Sequence, residues 1–299
     1  MQHHDTNRRF IIEDSPIRGE WTLLDSTYKA VIAKHQYPLE IQMLLGEMMA
    51  AAVMLSSTLK FEGLLIIQAR GNDTLKLATV ECTHDKGVRA VAQWDGDVSG
   101  KNFRSLLNKA TLAITISPKE GQRYQGIIPL ERDTLAECLE DYFERSEQLK
   151  TRIWLAEGNE KAAGLMVQFM PYNSEINKPA AEQEEDWQRV TLLSDTLTAE
   201  EHLGLDPETL LRRLFNEEDV RLLADENVRF ECSCSKQRFA DSLTTIPREE
   251  LETIIKEQGA IETRCQFCNE TYQFDAVDIH AIYEERAQHN PDQHQNKFN

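Results

Sequence analysis

Cys232-Ser233-Cys234, thirty residues, then Cys265-Gln266-Phe267-Cys268: the rest of the chain is read outward from this stretch. Four of the six cysteines lie here, as two close pairs. Each short turn supplies two sulfurs, and the intervening segment can bring the pairs together around one tetrahedral ion. Zinc takes four thiolates at about 2.3 Å. Cys-x-x-Cys is the usual zinc knuckle; Cys-x-Cys is tighter and sets this site apart from an ordinary zinc ribbon. The spacing predicts one Zn2+ per chain in the reduced form, with Cys232, Cys234, Cys265 and Cys268 as ligands. The plainest role for such a site is a structural staple. A disulfide framework fits less well in a chain of 299 residues with no secretory signal, expected to be cytoplasmic and reduced.

The chain carries a net charge of −18 and is 40% apolar. A polyanion repels nucleic acid and anionic membranes unless it holds a basic patch, so neither is an expected partner. No apolar run approaches the ~18 residues of a membrane span. The acid is uneven: residues 182–231 hold fifteen acidic residues, five arginines and no lysine, a net of −10.

The sequence predicts an α+β protein in four parts: an N-terminal mixed helix and sheet core domain (1–180), an acidic helical linker (181–227), a small zinc-binding domain (228–285) and a disordered tail (286–299). In the core, residues 9–13 read as a short strand, and 21–34 read equally as strand or helix. Pro38 opens a helix with Ile41, Leu44, Leu45, Met48, Ala52, Leu55 and Leu59 at helical spacing. Four of the seven methionines fall in it and read as core packing rather than a binding surface. Strands are expected at 64–69 and 74–82 around an Arg70–Asp73 turn, and at 88–94, 111–117 and 124–130. Asp133 reads as the cap of a helix to Leu149, and 152–156 with 162–170 as a hairpin. Gly96-Asp-Val-Ser-Gly100-Lys101-Asn102 resembles a phosphate loop but is one residue short and lacks the Ser or Thr for magnesium, so it reads as a turn.

Residues 172–186 read as a polar connection. Beyond them Thr198-Ala-Glu-Glu201 is a capping box, and Asp206-Pro207 starts a second helix with Leu210, Leu211, Leu214 and Phe215 as its stripe. Such short helices are marginal alone and must dock on a neighbour. In the cysteine-bearing part, Pro247 opens a helix ended by Gly259, short strands enter and leave the second cysteine pair, and Asp275 caps a last helix. A domain of this size has little core, and structural zinc supplies an apparent ~10–16 kcal/mol to such folds. Lys236, Arg238 and Arg264 flank the cysteines, either offsetting thiolate charge or as solvated surface charges.

Taken together, these features resemble the redox-regulated 33 kDa heat-shock chaperone family of bacteria. The cysteine spacing matches that family's zinc motif. Tyr37-Pro38-Leu39, Ser57-Thr-Leu-Lys-Phe-Glu-Gly63, Thr111-Leu-Ala-Ile-Thr115, Arg123-Tyr-Gln-Gly126 and Tyr142-Phe-Glu-Arg-Ser-Glu-Gln148 extend the likeness over nearly the whole chain. The resemblance implies a non-enzymatic, ATP-independent holdase for unfolding client proteins, dimeric when oxidised, with a zinc redox switch at the four cysteines. On oxidation, low loop-closure cost favours Cys232 with Cys234 and Cys265 with Cys268, the pairing the family also implies. Cys82 and Cys138 match no ligand position and sit in apolar patterns, as buried bystanders. Two other functions compete. A zinc-ribbon nucleic-acid adaptor needs a basic face that this composition lacks. A thiol–disulfide oxidoreductase using Cys265 and Cys268 wants a thioredoxin-like βαβ context that the pattern does not give.

Overall fold

The computed structural model describes residues 5–58, 62–170 and 178–289, with side chains to Glu284. It divides into two compact units, Met1–Glu231 and Cys232–Asn299.

The first unit opens with β1 (Thr6–Ile12) and β2 (Ile17–Leu24), then α1 (Ser26–Ile32) and α2 (Leu39–Ser57). The stretch that reads equally as strand or helix is therefore both, in succession. β3 (Gly63–Arg70), β4 (Leu75–Thr83), β5 (Gly87–Trp94), α3 (Phe103–Leu106), β6 (Thr111–Pro118) and β7 (Tyr124–Ile128) follow. Next come α4 (Leu135–Tyr142), a π-helical turn at Phe143–Glu147, β8 (Thr151–Gly158) and β9 (Lys161–Phe169). The expected cap of α4 shifts by one residue: Thr134, not Asp133, accepts from the Glu137 amide in a capping box.

The acidic segment holds more structure than two helices. α5 (Ala180–Ser194) precedes α6 (Ala199–Gly204) and α7 (Pro207–Leu214), and β10 (Val220–Asn227) and β11 (Arg229–Phe230) follow. α6 and α7 start where expected, on the Thr198 capping box and the Asp206 cap. α5 absorbs part of the expected connection; 172–177 lie outside the described residues.

Two sheets organise this unit. One runs β10-β1-β2-β9-β8 and the other β11-β5-β4-β3-β6-β7. β1 pairs antiparallel with both β2 and β10, so the acidic segment contributes an edge strand. α2 packs against both sheets. That placement explains its composition: a helix apolar on all sides must be buried on all sides. Every residue from Met48 to Ser57 is buried. Met48, Met49 and Met54 are core, as expected, while Met43 is 42% exposed. By length and hydropathy α2 could cross a membrane, but it is the core helix here.

The first sheet is apolar on both faces. β9 alternates cleanly: Ala162 and Met166 join the core around α2, whereas Ala163, Leu165 and Val167 join a second core. Phe10, Ile12, Trp21 and Leu23 from the sheet meet Val190, Leu203, Leu210, Leu211, Leu214 and Phe215 from α5–α7 there. The short acidic helices thus cover one face of the sheet, which is the docking that their length demands.

The second unit contains α8 (Lys236–Leu243), α9 (Arg248–Gln258), β12 (Ile261–Arg264), β13 (Thr271–Phe274) and α10 (Ala276–His289). α8 has no counterpart in the sequence reading; Ser235 caps it by accepting from the Arg238 amide. Six buried residues, Ala240, Leu243, Leu251, Ile261, Phe274 and Ile279, make its core. The expected start at 228 lies inside the first unit: Val228 is buried there, and β11 pairs parallel with β5. At the other end, 286–289 continue α10, and the rest of the expected disordered tail lies outside the described residues.

Candidate metal centre

β12 and β13 form an antiparallel hairpin with Arg264 opposite Thr271. The second cysteine pair is its turn. The Cys265 amide donates to the Glu270 carbonyl, and the Asn269 amide donates back to the Cys265 carbonyl. Asn269 takes φ +62, a left-handed conformation that Asn tolerates. The first pair lies in the extended run before α8, with Cys234 immediately ahead of the Ser235 cap. Cys265-Gln-Phe-Cys268 is therefore a hairpin knuckle, unlike the strand-to-helix setting of a thioredoxin-type pair.

The four sulfurs lie within 4.8 Å of one another. Cys232 Sγ is 3.6 Å from Cys265 Sγ, and Cys234 Sγ is 3.3 Å from Cys268 Sγ. Four thiolates at about 2.3 Å from a tetrahedral ion would sit roughly 3.8 Å apart. Cys265 is buried and the other three are half-buried. Burial pushes the Cys234 and Cys268 thiols above the ordinary thiol range. Four thiolates crowded in such a place need a cation among them, so the donor set fits a thiophilic metal.

Outer contacts orient the site. Tyr272 Oη lies 3.3 Å from Cys234 Sγ, and the sulfur holds the phenol well above its usual range. Arg238 donates to the Ser233 carbonyl and hydroxyl, bracing the Cys-x-Cys turn. Lys236 instead pairs with Asp278 at 2.9 Å, and Arg264 lies 3.8 Å from Glu262. Of the three flanking cations, only Arg238 has such a bond to the turn. Tyr272 was legible only as a strand residue sharing a face with Phe274; its reach to a sulfur was not.

The other expected groups stand apart. Cys82 and Cys138 are fully buried in the core around α2. Burial pushes the Cys82 thiol up to about 11. The phosphate-loop lookalike is a turn, with Gly96 and Gly100 at positive φ and Asn102 capping α3.

A family model described as "Hsp33 protein" matches residues 5–275. The 33 kDa chaperonin of Ectopseudomonas mendocina (strain ymp) is 46% identical over 283 residues, 94% of this chain and 95% of that protein. That of Pseudomonas aeruginosa (strain LESB58) is 44% identical over 286 residues, 95% and 96% of the two chains. The crystal structure of the 33 kDa chaperonin from Thermotoga maritima matches with a TM-score of 0.79 at 18% identity, covering 96% of this chain and all of that one, which is a likeness of fold. A family match over most of the sequence, and relatives this close along almost their full length, make this chain a member of the Hsp33 family of 33 kDa chaperonins.

Proposed function

We propose that this protein is a redox-regulated, ATP-independent holdase. In the reduced form Cys232, Cys234, Cys265 and Cys268 hold one Zn2+, and the ion supplies the stability that a six-residue core cannot. A two-electron oxidant, such as a peroxide, converts each cysteine pair to a disulfide; two disulfides release four electrons and free the zinc. The second unit then loses its fold, and loosening spreads along the chain through Cys232 into the strands and helices of residues 181–231. Release of α5–α7 uncovers Phe10, Ile12, Trp21, Leu23, Leu165 and Val167, an apolar face suited to unfolding clients and to a second copy. The family relatives, named chaperonins, support a client-binding role rather than an enzymatic one.

The observation that carries this reading is the four-sulfur cluster inside a unit with so little core. The test compares reduced and peroxide-oxidised protein in suppressing aggregation of a thermally unfolding client, with zinc release followed in parallel. Suppression should appear only in the oxidised sample, without ATP, and follow zinc release. Equal suppression by the reduced, zinc-loaded form would refute the switch.

A further inference from the structure

His202, within α6, is 2% exposed. Its helix packs on β8 and β9. Its Nε2 has no hydrogen-bond partner among the described residues, and the Gly164 main chain is the polar group beside the ring that favours its charged form. The charged groups on the packed elements are committed elsewhere or face water. On α6, Glu201 caps Thr198 and accepts from Arg213, and Glu200 is exposed. On β8, Arg152 pairs with Glu140 and Asp195, while Glu157 accepts from the Tyr28 hydroxyl. On β9, Lys161 donates to the Leu203 carbonyl and lies 3.7 Å from Asp25.

We infer that His202 makes α6 a proton-gated latch: the neutral ring holds the acidic helices on their sheet, and protonation at mildly acidic pH releases them without cysteine oxidation. This second trigger rests on the proposed role of α5–α7 as the cover of a client-binding face. An imidazolium at this position would be a buried charge with one N–H unpaired, and such groups strongly disfavour the packed state. Burial accordingly depresses the His202 pKa to about 4. An exposed histidine titrates near ~6.5, so docking is at full strength above that pH and weakens as pH falls toward the lower value. Between pH 7.5 and 5.5 the opening constant should rise about tenfold. Glu20, on β2 of the same sheet, is pushed up to about 7 by burial and works in the opposite direction. The contribution of His202 is therefore read as a difference between two proteins.

Amide hydrogen exchange of the full, reduced chain prepared with zinc, corrected for intrinsic pH dependence, measures opening of residues 199–214 at the two pH values. The acid-induced rise should be about tenfold larger in the wild type than in His202→Leu. An equal response in both overturns the latch. If the variant folds poorly, NMR titration of the wild-type imidazole decides: a midpoint below about 5 supports the latch, and one near ~6.5 overturns it. Aggregation suppression at pH 5.5 separates the two proposals. Opening in most molecules without client binding leaves the latch standing and removes the covered sheet face as the client site.

Discussion

At the scale of single residues, the sulfurs and the groups around them set the chemistry. Serine is a poor zinc ligand, so Cys265→Ser should sharply weaken zinc binding and loosen the second unit; full occupancy with an intact fold would contradict the ligand assignment. Tyr272→Phe removes the hydroxyl beside Cys234 Sγ and keeps the ring that packs on Phe239 at 5.2 Å. Loss of such an outer contact should cost roughly tenfold in zinc affinity, measured by competition with a chelator. Two sulfur separations, 3.6 Å and 3.3 Å, run between the two cysteine pairs. With all four sulfurs within 4.8 Å, proximity chooses no pairing. Loop closure does, and Cys232–Cys234 with Cys265–Cys268 is the expected product. Peptide mapping of the oxidised protein that found mainly Cys232–Cys265 would reverse that expectation.

At the scale of elements, α7 is the weak point of the covered sheet. Its eight residues start on the Asp206 cap and bury Leu210, Leu211 and Leu214. Too short to persist alone, the helix depends on those contacts. Leu214 is 7% exposed, and Leu214→Glu puts a carboxylate where the second core lies. A loss on the order of 3 kcal/mol is expected, a large part of the stability of one docked segment. The variant should suppress client aggregation while still reduced and zinc-loaded. Failure to do so, with α7 shown open by hydrogen exchange, would move the client site away from this face. β10 resists the same release differently. It is held by pairing with β1 and by Glu226, which accepts from Asn7 at 3.1 Å and Ser57 at 3.1 Å and lies 3.5 Å from Lys86.

At the scale of the whole molecule, the proposed switch is a sequence of losses in order of local stability. In that proposal the second unit depends on a metal at the four cysteines, the acidic segment depends on docking, and the core around α2 depends on neither. Hydrogen exchange after oxidation should therefore rise first in 232–284, next in 182–231 and last in 64–130. Trp21, fully buried in the second core, provides a parallel signal, since its emission should shift to the red as α5–α7 leave. Protection that persists across 182–231 in a protein that fully suppresses aggregation would place the client site on surface already exposed.

The sequence by itself determined the local features. Turn and cap residues fixed the starts of α2, α6, α7 and α9, alternation marked most strands, and the Cys-x-Cys and Cys-x-x-Cys pairs marked the cluster. These are properties of neighbours along the chain, and local chemistry suffices for them. Only the tertiary structure decided what pairs at long range. Residues 220–227 read as part of a helical linker because nothing nearby announces β1, more than two hundred residues away, as their partner. The division of the chain falls at Cys232 rather than 228 for the same reason: Phe230 lies opposite Val88 on β5. The apolar face beneath α5–α7, the hydroxyl of Tyr272 beside a sulfur and the unpartnered nitrogen of His202 arise where distant segments meet, and burial there follows from the meeting rather than from the residue itself.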